Sequence, residues 1–184
     1  MKMRVKQLVV RMELTDGTFG QKSAVVVYDS RFGNTKKVAE ALERGLREAG
    51  ARTVCLDAKD VEVEHLKEYD LICVGAPTEK FSASDSIKEF LGKLQGVDLS
   101  GKTAFVFDTK VSPGIFGSAA KYIEKELKNL GVHVLSPRES ATVSTTREGG
   151  EITGAKLKQG EEIRFEEVGK ELGALIPKGR GIPA

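Results

Sequence analysis

Five short apolar runs, four of them followed by a stretch with helical spacing, leave this chain few folds to adopt. Ala24-Val25-Val26-Val27-Tyr28 is the first. From Asn34 onward, Val38, Leu42 and Leu46 then recur four apart, until Gly50 ends the pattern. Thr53-Val54-Cys55-Leu56 and Leu71-Ile72-Cys73-Val74-Gly75-Ala76 are the next two runs, the latter stopping at Pro77. Ile87, Phe90, Leu91 and Leu94 fall at i, i+3, i+4 and i+7, one buried helix face, with Ser84 or Ser86 as its cap. Thr103-Ala104-Phe105-Val106-Phe107 precedes a stripe of Ala120, Ile123, Leu127 and Leu130 that Gly131 closes. Val132-His133-Val134-Leu135 is the fifth run, and Phe165, Val168, Leu172 and Leu175 stripe a last helix.

Strands that are apolar without alternation are strands covered on both faces. Five of them separated by helices predict an α/β fold, a doubly wound five-stranded parallel sheet. The crossover between the second and third runs is the poorest in helical pattern, with Val61, Val63 and Leu66 scattered among acids. Two stretches stand outside the alternation. Residues 1–22 read as an N-terminal β-hairpin extension, with Val10, Met12 and Leu14 alternating ahead of an Asp16-Gly17 turn. Residues 136–160, rich in Ser, Thr and Gly, read as a long loop or a small hairpin around Gly149-Gly150. The domain proper then spans 23–176, and 177–184 form a C-terminal tail.

Lys and Arg number 29 against 27 Asp and Glu, a net +2 that argues against nucleic acid or an anionic membrane as partner. No apolar run approaches the roughly 18–20 residues of a membrane-spanning helix, and the N-terminus lacks the unbroken apolar stretch of a signal peptide. Two cysteines make no disulfide framework. The expectation is a cytoplasmic domain. His65 and His133 lie far apart, and no Cys/His spacing suggests a metal site. No G-x-S-x-G elbow marks a hydrolase nucleophile, and no side chain is expected to act as an acid–base catalyst.

Ligands of a doubly wound sheet bind beyond the carboxyl ends of its strands, where the strand order reverses. The loop after the first strand, Asp29-Ser30-Arg31-Phe32-Gly33-Asn34-Thr35, brings hydroxyls, a glycine and a helix N-terminus together, the makings of an anion cradle. Ala76-Pro77-Thr78-Glu79-Lys80-Phe81-Ser82-Ala83-Ser84 follows the third strand, and Asp108 to Gly117 follows the fourth. Phe32, Phe81 and Phe116 fall in these three loops, where burial alone would not put them. A phosphate cradle flanked by aromatic loops suits a flat aromatic ligand that carries a phosphate.

Tyr28-Asp29-Ser30-Arg31-Phe32-Gly33-Asn34-Thr35 resembles the flavodoxin phosphate loop, which usually reads Ser/Thr-x-Thr-Gly-x-Thr after the first strand. Gly75-Ala76-Pro77-Thr78 resembles the turn into that family's first flavin-contacting loop. Gly117-Ser118-Ala119-Ala120 and Leu157-Lys158-Gln159-Gly160-Glu161 are similar to flavodoxin-like proteins as well, so the likeness runs over about residues 23–176. The resemblance implies a strand order of 2-1-3-4-5 and flavin mononucleotide (FMN) as cofactor. By position, Ser30, Arg31, Phe32, Gly33, Asn34 and Thr35 would hold the phosphate. Pro77, Thr78, Glu79, Lys80 and Phe81, with Asp108, Thr109 and Lys110, would line the isoalloxazine. Any stacking would fall to Phe81 or Phe116, and Gly117 would complete the site. Arg31 and Phe32 depart from the pattern by replacing two hydroxyls with a guanidinium and a ring. The implied order also sets Cys55 and Cys73 about 9–10 Å apart on either side of the first strand, too far to bond, so both should be free thiols.

The expected function is that of an FMN-binding electron-transfer protein serving a redox partner protein or a small electron acceptor, with a homodimer possible. Two other readings use the same sheet: an NAD(P)H-dependent FMN quinone reductase, and a flavodoxin-like partner-binding module without cofactor. A phosphoacceptor receiver would need an aspartate where the third strand ends in Gly75-Ala76-Pro77-Thr78. A Rossmann dinucleotide site would need G-x-G-x-x-G after the first strand, and the only near-match, Gly179-Arg180-Gly181, lies in the tail with no helix behind it.

Overall fold

A computed structural model describes residues 21–79, 82–111 and 117–176. The expected hairpin in residues 1–22 and the tail from 177 onward therefore lie almost wholly outside the described residues. So do three expected site residues: Lys80, Phe81 and Phe116.

The elements run β1 (Ser23–Tyr28), α1 (Asn34–Glu48), β2 (Arg52–Asp57), β3 (Leu71–Glu79), a short β4 (Ser82–Ala83), α2 (Asp85–Lys93) and β5 (Thr103–Val111). They continue with α3 (Ala119–Asn129), β6 (His133–Val134), β7 (Glu139–Glu148), β8 (Glu151–Leu157) and α4 (Glu161–Leu175). The strands lie in the order β2-β1-β3-β5-β7-β8, with β4 on β3 and β6 on β5. β1 is parallel to β2 and β3, β3 to β5, and β5 to β6 and β7. This is the expected doubly wound parallel sheet, with the first strand between the second and third. Two short 3₁₀ segments, Ala58–Asp60 and Val63–Glu68, make the crossover whose helical pattern was poor.

The fifth position of the sheet is longer than the Val132–Leu135 run. β6 registers against the start of β5 (Thr103↔His133), and β7 takes over against its end, from Phe107↔Glu139 to Val111↔Val143. Between them Pro137, which has no N–H to donate, interrupts the ladder. β8 then returns antiparallel to β7 through Gly149-Gly150, whose φ values of 57° and 87° suit the tight turns that fit strand twist. Of the two readings of residues 136–160, the hairpin is the one observed.

Strand alternation deals the apolar side chains to two cores. Val25, Val27, Ile72, Val74, Ala104 and Val106 face α2 and α3, meeting Ile87, Phe90, Leu91, Ile123 and Leu127. Ala24, Val26, Leu71, Cys73, Phe105 and Phe107 face α1 and α4, meeting Val38, Leu42, Leu46, Phe165 and Leu172. On that second side the two helices nearly touch. A Cβ on Gly45 would overlap the Glu166 carbonyl, and one on Gly169 would overlap the Leu42 carbonyl. Cys55 and Cys73 both register against Val26, one from each side, and both are free, as the strand order requires. No helix among the described residues is long and apolar enough to cross a membrane.

Candidate functional site

The site begins where β1 hands over to α1. The Asp29 N–H donates to the Gly75 carbonyl at 3.1 Å, fixing the start of the loop to β3. Gly33 then occupies the N-cap of α1 at φ 79°, a left-handed conformation that glycine adopts without penalty. The backbone ladder of the helix starts with the Lys37 N–H on the Gly33 carbonyl, so the amides of Asn34, Thr35 and Lys36 precede it. No side chain caps them, and a Cβ on Gly33 would meet nothing within 4 Å. Beside them the Ser30 Oγ is buried without a hydrogen-bond partner. Uncapped amides, an orphaned hydroxyl and open space at a helix N-terminus make a place for an anion.

Asn34 and Thr35 are buried, and their side chains turn to the sheet. Thr35 Oγ1 and Thr109 Oγ1 share a hydrogen bond of 2.9 Å that links α1 to β5. Asn34 Nδ2 donates to the Ala155 carbonyl at 3.0 Å, and its Oδ1 accepts from the Leu157 N–H at 2.9 Å. Asp108 is fully buried at the other side of the loop cluster. Its Oδ2 accepts from Thr78 Oγ1 (3.0 Å), Ser118 Oγ (2.6 Å) and the Ala120 N–H (3.2 Å). The carboxylate thus binds the ends of β3 and β5 to the N-terminus of α3, where the helix dipole favours a negative charge. Its Oδ1 has no partner.

A cavity of about 410 Å³ opens beyond the carboxyl ends of these strands, a size typical of small-molecule sites. Arg31 and Phe32 supply one wall, and Thr78, Glu79, Thr109, Lys110 and Val111 supply its floor. Val143 and Thr145 of β7, with Glu151, Ile152 and Ala155 of β8, form the wall opposite. At the rim the Arg31 guanidinium lies 5.0 Å over the Phe32 ring and 4.0 Å from the Glu79 carboxylate. Phe32 and Val111 remain exposed at 38% and 43%, so the cavity offers apolar surface as well as hydroxyls and two cations. Tyr28, at the end of β1, has its phenol pushed up to about 12, chiefly by burial, and keeps its proton at neutral pH. No group of three or more His, Cys, Asp or Glu that could hold a metal occurs among the described residues.

The structure therefore brings Arg31, Phe32, Thr78, Thr109 and Lys110 to one cavity, with Ser30 and Gly33 in the adjoining loop and Asn34 and Thr35 in the first turn of α1. Asp108 lies beneath as a tie between elements. Pro77, half-buried on β3, and exposed Gly117, at φ 63° ahead of α3, do not line it. Sequence reasoning missed Val111 as a lining residue, along with the hairpin wall. Simple counting could not give the wall's register: outward from Gly149-Gly150 an unbroken hairpin would set Thr145 opposite Gly154 and Val143 opposite Lys156, whereas the skipped Thr153 shifts them to Ala155 and Leu157.

A family model, Flavodoxin, matches residues 26–167. "Probable flavodoxin 2" of Bacillus subtilis is 30% identical over 132 residues, which is 69% of this chain and 85% of that protein. "Type A flavoprotein fprA" of Rhodobacter capsulatus is 27% identical over 134 residues, 70% of this chain but 30% of its own length. Among solved structures, a flavodoxin from the domain Archaea superposes with a TM-score of 0.70 at 22% identity, covering 84% of this chain and 98% of that one. The flavodiiron protein of Giardia intestinalis superposes with 0.66 at 22% identity, over 85% of this chain and 36% of that one. This chain thus spans about a third of the length of these larger relatives.

Proposed function

Because the chain belongs to the flavodoxin family, we propose that it is an electron-transfer protein working on a non-covalently held FMN. The observation that carries this reading is the uncapped N-terminus of α1, with its orphaned Ser30 hydroxyl, opening beside a cavity at the strand ends. These residues fit the cofactor. The loop amides and Ser30 Oγ are donors with nothing to donate to, as a phosphate requires, and Gly33 leaves the backbone open to it. Phe32, Val111, Val143 and Ile152 offer apolar contact to a flat ring system, and Thr78 and Thr109 place hydroxyls at the floor.

When bound, FMN supplies the redox chemistry through its isoalloxazine ring. The protein's own contribution is binding, orientation and electrostatics. Ser30 and the backbone from Arg31 to Thr35 hold the phosphate. Thr35 and Thr109 couple that loop to β5, and Asp108 keeps the β3 and β5 ends in place against α3. Lys110 sets a positive charge at the cavity, where it favours a more negatively charged ligand state. Lys80, Phe81 and Phe116, outside the described residues, would face the flavin in this reading, while Pro77 and Gly117 would shape the loops beside it without lining the cavity.

Electrons pass to a redox protein or a small acceptor, and a homodimer and a cytoplasmic setting belong to the same reading; two free thiols accord with a reducing compartment. The test is to mix the FMN-loaded protein with NAD(P)H and a quinone. The nicotinamide absorbance should stay constant, while chemically reduced protein should pass its electrons to an added acceptor. Steady consumption of NAD(P)H would move the chain to the quinone-reductase reading.

A further inference from the structure

Asn34 spends its whole side-chain amide on a strand far away in sequence. Its Nδ2 donates to the Ala155 carbonyl and its Oδ1 accepts from the Leu157 N–H, so both ends of the amide grip the backbone of β8. Among the described residues β8 pairs with β7 alone and forms an edge of the sheet. The hairpin face that Asn34 secures is the face that lines the cavity. Opposed pairs on an antiparallel ladder share a face, and Val143↔Leu157, Thr145↔Ala155 and Arg147↔Ile152 are such pairs. Between Thr146↔Gly154 and Arg147↔Ile152 the register skips Thr153. That bulge resets the alternation of β8, so Ile152 falls on the same face as Ala155 instead of the opposite one. The inner row then runs from buried Val143 and Leu157, in the α1–α4 core, out to Thr145, Ala155 and Ile152 at the cavity.

We infer that Asn34 is a positioning residue that docks the β7–β8 hairpin against the β1–α1 loop, and that the hairpin's inner face is a wall of the FMN site. The inference rests on the FMN reading above and assigns Asn34 a different task from holding phosphate with its side chain. Its backbone amide stays with the anion cradle while its side chain works through the hairpin. Ile152 is the outermost apolar member of the wall and the one that should report on its placement.

A double-mutant cycle in FMN affinity tests this, using Asn34→Ala, Ile152→Ala and the double variant of the full chain, with FMN fluorescence quenching as readout. Asn34→Ala should weaken binding about tenfold, the effect of two lost hydrogen bonds to the hairpin. The double variant should bind within about twofold of Asn34→Ala alone, because a released hairpin has little left to lose from Ile152. Amide exchange at Leu157 in the FMN-free protein should speed up in Asn34→Ala and stay slow in Ile152→Ala. If the two losses multiply, Asn34 acts on FMN independently of the hairpin and the inference fails. It also fails if Asn34→Ala melts earlier yet binds FMN like the parent, the mark of a purely structural bond. Should Asn34→Ala not fold, Asn34→Asp carries the same cycle, since it keeps an acceptor for Leu157 and lacks the donor to Ala155. A parent that takes up no FMN overturns the functional reading and this inference together. A parent that binds, beside variants that bind equally well, overturns this inference alone.

Discussion

At the mouth of α1, Gly33 and Thr35 carry different constraints. Gly33 sits at φ 79° with open space where a Cβ would stand, so Gly33→Val meets no clash but costs about 1–2 kcal/mol in a left-handed backbone. It also puts a branched side chain into the cradle, and fluorescence titration should show FMN binding more than about tenfold weaker, since the charge-assisted bonds at stake contribute about 1.5–3 kcal/mol each. Thr35→Ala strands the buried Thr109 hydroxyl, a loss of about 1–3 kcal/mol, and should weaken FMN about tenfold, with Thr35→Ser restoring it. Lys110 lines the cavity as a cation, so Lys110→Ala should make the reduction potential more negative by tens of millivolts, about 59 mV being a tenfold effect for one electron. An unchanged potential with FMN still bound would take Lys110 out of the site. Away from the cavity, His65 has its pKa raised by a hydrogen bond to Glu68, with Glu62 on its other ring nitrogen. A raised folded-state pKa stabilises below the unfolded value of about 6.5 and ceases to as pH rises through the folded one. The imidazole resonances should therefore titrate above pH 6.5, and Glu68→Gln should bring the midpoint down. The cradle was legible because Ser30 to Thr35 are contiguous in the chain. Where Asn34 and Thr35 aim their side chains was not, because their partners lie 121 and 74 residues away.

Elements differ in how much their packing depends on one residue. α1 and α4 cross at glycines, and Gly45→Ala would drive a methyl group into the Glu166 carbonyl, a backbone atom that cannot swing aside. Urea unfolding should register a loss of about 3 kcal/mol, at the upper end of overpacking costs. In α2, Gly92 has nothing within 4 Å of a Cβ, and Gly92→Ala should gain about 0.5–1 kcal/mol from helix propensity alone. The junction of α4 with the hairpin has a pH dependence of the opposite sign from His65. Burial works to raise the Glu161 pKa, but the bonds from the Thr142 N–H and Arg164 outweigh it and hold the carboxyl below its usual range. Its stabilisation is present above the unfolded pKa and fades as pH falls through the folded one, so Glu161→Gln should cost stability at pH 7 and little at low pH. The inner strands were readable as continuous apolar runs because both of their faces are covered. β7 and β8 were harder to read because, near the sheet edge, the outward face needs no apolar residues, and Ser144, Thr146 and Lys156 read as loop.

For the whole molecule, the two cores follow from the apolar pattern, and the strand order sets the ends of β1, β3 and β5 side by side. The expected order was reached through resemblance, and the register confirms it down to Cys55 and Cys73 flanking Val26. What the linear pattern does not carry is the assembly of one cavity from loops and a hairpin more than a hundred residues apart, since that depends on the assembled sheet. The near-neutral balance of 29 cations and 27 anions provides no long-range field for steering a charged partner, so electron transfer to a redox protein should depend only weakly on salt. The central claim is FMN binding, and the most direct measurement is to saturate the protein with FMN, strip free flavin by gel filtration, and record the visible spectrum against protein concentration. The account predicts a yellow protein retaining a single FMN per chain, bleached by chemical reduction and restored by an electron acceptor. Protein that emerges colourless, both as purified and after saturation, would contradict it.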